Sequence, residues 1–127
     1  MKKLHLILIV LLSLSLMNCS KVQMKPGNYL LTFTYDNPNI ESIQKYTEVM
    51  KSPDDILLLR LVSSFVELNI IGNKVSGKIP IESLNSPYLV GEIKNNTITG
   101  RFAYMEAHHS PGGGNWFVER EGSFEIK

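Results

Sequence analysis

Three times in its second half this chain alternates apolar with polar residues, reverses at turn-forming residues and alternates again, and that period of two restricts it to antiparallel sheet. Val66, Leu68 and Ile70 alternate with Glu67 and Asn69 up to Gly72-Asn73, and Val75, Ile79 and Ile81 alternate with Lys74, Ser76 and Lys78 on the return. Leu89 to Lys94 then leads into Asn95-Asn96, and Thr97 to Phe102 matches Lys74 to Ile79 class by class. The last hairpin is Asn115 to Arg120, a Glu121-Gly122 turn, and Ser123 to Lys127 with Phe124 and Ile126 on one face. Paired asparagine or glycine at a reversal suits the positive φ angles of tight hairpin turns. The repeat is too short and occurs too few times for a solenoid, so the hairpins are expected to form one sheet.

Upstream, Tyr29, Leu31, Phe33 and Tyr35 share one face with Thr32 and Thr34 on the other, which reads as a half-buried first strand. The period then changes. Asn37-Pro38 is a plausible helix start, followed by Ile40, Ile43, Tyr46, Val49 and Met50 at intervals of three to four. Ser52-Pro53-Asp54-Asp55 has a capping hydroxyl, a first-turn proline and two acids suited to a helix N-terminus, with Leu58, Leu61, Val62 and Phe65 on one face beyond it. Ile56, Leu57 and Leu59 widen that face so far that a helix there must be covered; a buried strand over Leu57 to Val62 is the rival reading. Gly77 and Gly100 fall on the apolar phase of their strands. They either relieve crowding where the sheet bends or leave interior room for a ligand, and both readings favour a curled sheet. The expected fold is therefore α+β: a seven-stranded, strongly coiled, barrel-like antiparallel meander with a two-helix insertion after strand 1, at about residues 38–64. This arrangement resembles the lipocalin-like group of small barrels in architecture, although Gly27-Asn28-Tyr29 is only a relaxed version of that group's glycine-x-tryptophan signature.

The N-terminus carries a different kind of information. Met1-Lys2-Lys3 is followed by an apolar run from Leu4 to Leu16 and then Met17-Asn18-Cys19-Ser20. The run suits the apolar region of an export signal and is too short to span a bilayer of roughly 30 Å as a helix. The segment resembles a bacterial lipoprotein signal. That resemblance implies removal of residues 1–18, acylation of Cys19 and attachment to the membrane through diacylglycerol and acyl chains on that residue. Ser20 after the cysteine favours the outer membrane, with the periplasmic or outer face left open. Residues 19–27 then form the lipidated cysteine and tether, and 28–127 a single β-rich domain.

Composition agrees with an exported single domain. Cys19 is the only cysteine, so the domain has no disulfide to lean on and must be held by its core. Roughly 108 residues after the signal suffice for one core and not two. Thirteen basic residues face twelve acidic ones, and no basic run follows the signal, which argues against nucleic acid as a partner.

Catalytic signatures are missing from the sequence: no G-x-S-x-G elbow, no P-loop, no H-E-x-x-H and no second cysteine. Gly112-Gly113-Gly114 lacks a following lysine and hydroxyl and reads as loop. Glu106 and His108, on one side of an extended segment, are weak candidates for a metal site that needs a third ligand from elsewhere; otherwise the segment is a solvated loop. Trp116 is either core packing or a stacking platform at a barrel mouth. No cofactor and no enzymatic activity are expected. The expected role is a non-catalytic binding module for a small apolar ligand or lipid, in a cavity lined by Phe33, Leu68, Ile79, Phe102 and Trp116. The alternative is interaction with an envelope protein, for example inhibition of a periplasmic or host enzyme through the loop 105–115.

Overall fold

The computed structural model describes residues 23–81 and 85–127, so the signal resemblance and Cys19 lie outside the described residues. Eight strands follow one another: β1 (Gly27–Tyr35), β2 (Ile43–Met50), β3 (Ile56–Arg60), β4 (Phe65–Ile71), β5 (Lys74–Lys78), β6 (Tyr88–Lys94), β7 (Thr97–His109) and β8 (Asn115–Ile126). Each pairs antiparallel with the next, and β8 returns to β1 to close the barrel. The described residues are therefore all-β, and the expected α+β class, the two-helix insertion and the count of seven strands are corrected.

Both expected helices are strands. β2 replaces the first: its inward phase runs through Thr47 and Val49, both buried, while Tyr46 of the supposed helical stripe points out and is 79 % exposed. Thr47 is a polar residue on the core side, satisfied by donating Oγ1–H to the Arg60 carbonyl at 3.3 Å. β3 replaces the second, in line with the rival strand reading, although it ends at Arg60 and Leu61 and Val62 fall in the following loop. Ser52 does not cap a helix; its hydroxyl donates to the Ile56 carbonyl at 2.6 Å and tightens the β2–β3 connection. Leucine favours helix in isolation, but five residues with Leu57 and Leu59 turned into a closed sheet bury their apolar surface equally well as strand.

The turns at Gly72-Asn73 and Asn95-Asn96 stand where the alternation reverses. Asn95 and Asn96 have φ of 51° and 58°, the left-handed pair that matches the twist of a two-residue hairpin. Glu121-Gly122, by contrast, is no turn: β8 runs straight through it, pairing Gly122 with Phe102 on one side and Tyr35 on the other. A methyl group on Gly122 would collide with the Thr34 carbonyl and stand 2.8 Å from the Phe102 ring, so the missing side chain is what lets β1 and β8 approach.

The interior is filled by alternate residues of all eight strands, among them Leu31, Phe33, Leu59, Leu68, Val75, Ile79, Leu89, Ile98 and Ile126. Phe33 and Phe102 meet edge to face at 4.9 Å. The two glycines on the apolar phase make room for neighbouring side chains. A Cβ on Gly77 would lie 2.8 Å from Leu68 Cδ2, and one on Gly100 would lie 2.8 Å from the Phe124 ring and clash with the Val90 carbonyl.

Because the strands form a simple meander, the connections sort to two rims. The lower rim holds the start of β1, the β2–β3 loop, the two tight turns and Lys127; the upper rim holds segments 36–42, 61–64, 79–81 and 85–87. The lead-in to β1 is pinned to the lower rim. Met24 is buried, Gln23 Nε2 donates to Asp54 Oδ1 at 2.8 Å, and the Lys25 amide donates to Asn96 Oδ1 at 2.7 Å. The Tyr29 hydroxyl donates to the Lys25 carbonyl at 2.6 Å and accepts from Asn96 Nδ2 at 2.7 Å. Residues 23–25 are thus part of the fold rather than loose tether.

Candidate functional site

β7 and β8 are longer than the barrel needs. β6 leaves β7 after the Tyr88–Ala103 pair and β1 leaves β8 at Gly122, but β7 and β8 stay paired up to His109–Asn115. Residues 104–109 and 115–120 therefore form a two-stranded ribbon that rises about 20 Å past the upper rim. The segment 105–115, expected as a long loop, is for the most part this ribbon, and only 110–114 is turn. That turn is closed by Ser110: its amide donates to the Gly114 carbonyl at 2.8 Å, and its hydroxyl accepts from the Gly114 amide at 3.1 Å.

Two strands alone are marginal in water, so the ribbon needs side-chain support. Its base receives an aromatic column. Phe102 packs against Tyr35 at 5.3 Å, Tyr104 stacks on Phe102 at 6.4 Å, and the hydroxyls of Tyr35 and Tyr104 hydrogen-bond at 2.7 Å. Burial first, and then that bond, push the Tyr104 hydroxyl well above the usual tyrosine range, which keeps it neutral. Above it, Arg120 Nε donates to Glu106 Oε2 at 2.8 Å, and this bond holds the Glu106 carboxyl below its ordinary range and raises the arginine. Glu106 Oε1 lies 3.2 Å from His108 Nε2, which is shielded from solvent and makes no hydrogen bond among the described residues. His108 then meets Trp116 edge to face at 4.9 Å. The inner face of the ribbon is thus one continuous chain of contacts from the barrel core to Trp116.

The outer face is different. Met105 and Phe117 stand on it, 51 % and 64 % exposed, and Trp116 on the inner face is 47 % exposed. His109 Nδ1 and Asn115 Oδ1 close the last cross-strand pair at 2.6 Å.

Of the residues expected to line a cavity, Phe33, Leu68, Ile79 and Phe102 come together inside the barrel, all buried and in the packed core. Trp116 is apart from them, near the tip of the ribbon. Glu106 and His108 are adjacent as their spacing implies, but Arg120 occupies the second carboxylate oxygen. Among the described residues no three histidine, cysteine, aspartate or glutamate side chains gather as a metal would require. A groove of about 380 Å³ opens at the upper rim between the start of β2 and the 61–64 loop, lined by Gln44, Tyr46, Leu61, Val62, Ser64, Pro80 and Ile81 among others. The sequence reading missed both the groove and the ribbon. The one signal for the ribbon was the period of two from Thr97 to Phe102; beyond it Ala103, Tyr104 and Met105 break the alternation, and Glu106 and His108 are polar on the phase that was apolar before, so no single face marks the strand.

No protein-family model, curated protein or solved structure matches this chain.

Proposed function

We propose that this protein is a lipid-anchored lipoprotein of the bacterial outer membrane that works as a non-catalytic binding module, holding a protein partner with the β7–β8 ribbon. The observation that carries this is the ribbon itself: six residues of each strand project beyond the barrel and present Met105, Trp116 and Phe117 to solvent. Aromatic residues and methionine are enriched in protein interfaces, and apolar side chains grouped on a projecting element favour association. The position supports the same reading. The lead-in is pinned to the lower rim at Gln23, four residues after Cys19, so a lipid on that cysteine sets the lower rim within roughly 20 Å of the membrane and turns the ribbon away from it.

Two measurements test the two halves of the proposal. In cells fed a clickable palmitate analogue, the wild-type chain is expected to carry the label in the membrane fraction and Cys19→Ala is expected to carry none; an unlabelled wild-type chain refutes the anchor. A photo-crosslinking amino acid at Phe117 is expected to yield an adduct of one defined mass in those cells, while the same group at exposed Glu67 on β4 yields none. Equal labelling at both positions, or at neither, would remove the ribbon from the binding role.

A second reading is favoured by the groove at the upper rim. Its lining by Tyr46, Leu61, Val62, Pro80 and Ile81 suits a small apolar ligand or the tail of a lipid. A co-purifying small molecule lost on Leu61→Asp would favour that reading.

A further inference from the structure

The two edges of the ribbon are treated differently by the fold. The register of β8 against β1 makes 30–127 a hydrogen-bonded pair, with both amides donating, and the next such bond above the barrel runs from the Asp36 amide to the Glu121 carbonyl. Odd residues of β8 therefore aim their backbone groups at the β1 side. On the ribbon these are Glu119, Phe117 and Asn115, and β1 does not reach them. Continued by two residues, the same register would put Pro38 opposite Glu119. Proline has no amide to donate, and the chain turns away there, closing with the Ile40 amide on the Asn37 carbonyl at 3.1 Å. On the β7 edge the matching groups begin at Met105, and its carbonyl is taken by Asn85 Nδ2 at 2.8 Å. The β7 edge is thus occupied at its first position by a side chain, whereas the β8 edge is open from its first position for three residues, in which Phe117 and Glu119 stand exposed.

We propose that this open edge of β8 receives an extended segment of the partner protein as an added strand, antiparallel to β8, in the place β1 vacates at Pro38. The inference rests on the ribbon's being the contact element. Glu119 is exposed and makes no ion pair among the described residues, and exposed Glu121 lies on the same face one pleat below. The segment that fits has a lysine or arginine opposite Glu119 and, two residues further on and so on the same face, an apolar residue opposite Phe117. A second copy of this chain does not fit while anchored: two β8 edges paired antiparallel about a twofold axis point their barrels in opposite directions, whereas lipid at both lower rims requires the same direction.

The test uses the full chain in detergent and a capped seven-residue peptide, Thr-Thr-Lys-Thr-Val-Thr-Thr, whose lysine and valine share one face, read by amide hydrogen exchange. Exchange at Phe117 and Glu119 is expected to slow by about tenfold or more at saturation, with Trp116 and Val118 unchanged because their amides already face β7. The same peptide N-methylated at the lysine and the valine, and a version with glutamate in place of the lysine, are expected to leave exchange unaltered. Glu119→Pro should abolish the effect while keeping the His109–Asn115 contact, and Glu119→Gln should keep strand addition but lose the preference for lysine over glutamate. If the peptide shifts the Trp116 and Phe117 rings without slowing those amides, the added strand is refuted while the ribbon's binding role stands. Failure of every peptide to slow exchange, or slowed exchange without peptide accompanied by dimerisation, also overturns the inference.

Discussion

At the scale of single residues, the barrel depends on positions where a side chain is missing. Gly100 faces Phe124 across β7 and β8 and abuts the β6 backbone at Val90, so Gly100→Ala forces the ring and two strands apart. We expect a loss of about 1–3 kcal/mol, read as a lower Tm by circular dichroism with the sheet spectrum retained. An unchanged Tm would show that the strands yield without cost. Glu106 offers a second test. Its folded pKa lies below the ordinary carboxylate value of 4.5, so its support of the ribbon is complete above that value and is lost as pH falls through the depressed one. Trp116 is the only tryptophan and lies at the ribbon tip, so its fluorescence reports this element alone. The wild type should show an acid transition below pH about 4.5 that is absent in Glu106→Gln.

At the scale of elements, what could be read from the sequence followed how cleanly each face was written. Strand β1 and the β4–β5 and β6–β7 hairpins keep an apolar inward phase, broken only by glycine as far as Tyr104, although Leu30, Phe65, Ile71, Tyr88 and Val90 are apolar on the outward phase, and their turns carry the residues a reversal needs. β2 conceals its period. Thr47 is a buried polar residue and Lys45 stands on the inward phase, so alternation fails just where Ile40, Ile43, Tyr46 and Val49 happen to fall at helical intervals. β3 is apolar at four successive positions, and Ile56 and Leu58 are half-buried on its outer side, which removes the contrast that distinguishes strand from helix. The candidate site was legible only in part: Tyr104, Glu106, His108 and Trp116 were singled out, but Arg120 lies on the facing strand from Glu106, and Tyr35, the partner of Tyr104, is far off in sequence on β1, so both join only through strand pairing. Replacing 105–119 with a two-residue Asn-Gly turn, which leaves the hydrogen-bonded Tyr104–Arg120 pair to flank it, should leave a folded barrel, since the closing pairs with β1 and β6 lie below the cut. A collapsed near-ultraviolet spectrum in that variant would mean that the ribbon supports the core as well.

At the scale of the whole molecule, the pinned lead-in at Gln23 and the ribbon mark opposite ends of one axis. The packed interior between them, with Phe33, Phe102 and Phe124 in contact around the space that Gly100 and Gly122 leave, makes the barrel a rigid spacer. Closure joins the first strand to the last through paired Leu30 and Lys127 amides at 2.9 and 3.2 Å. The cylinder is therefore completed by the last of its eight strands to be made. Until β8 arrives, β1 has one neighbour and the sheet remains an open ribbon. If the chain is exported as proposed, it stays unfinished, and so fit to be threaded, until β8 has crossed the membrane, and locks only then.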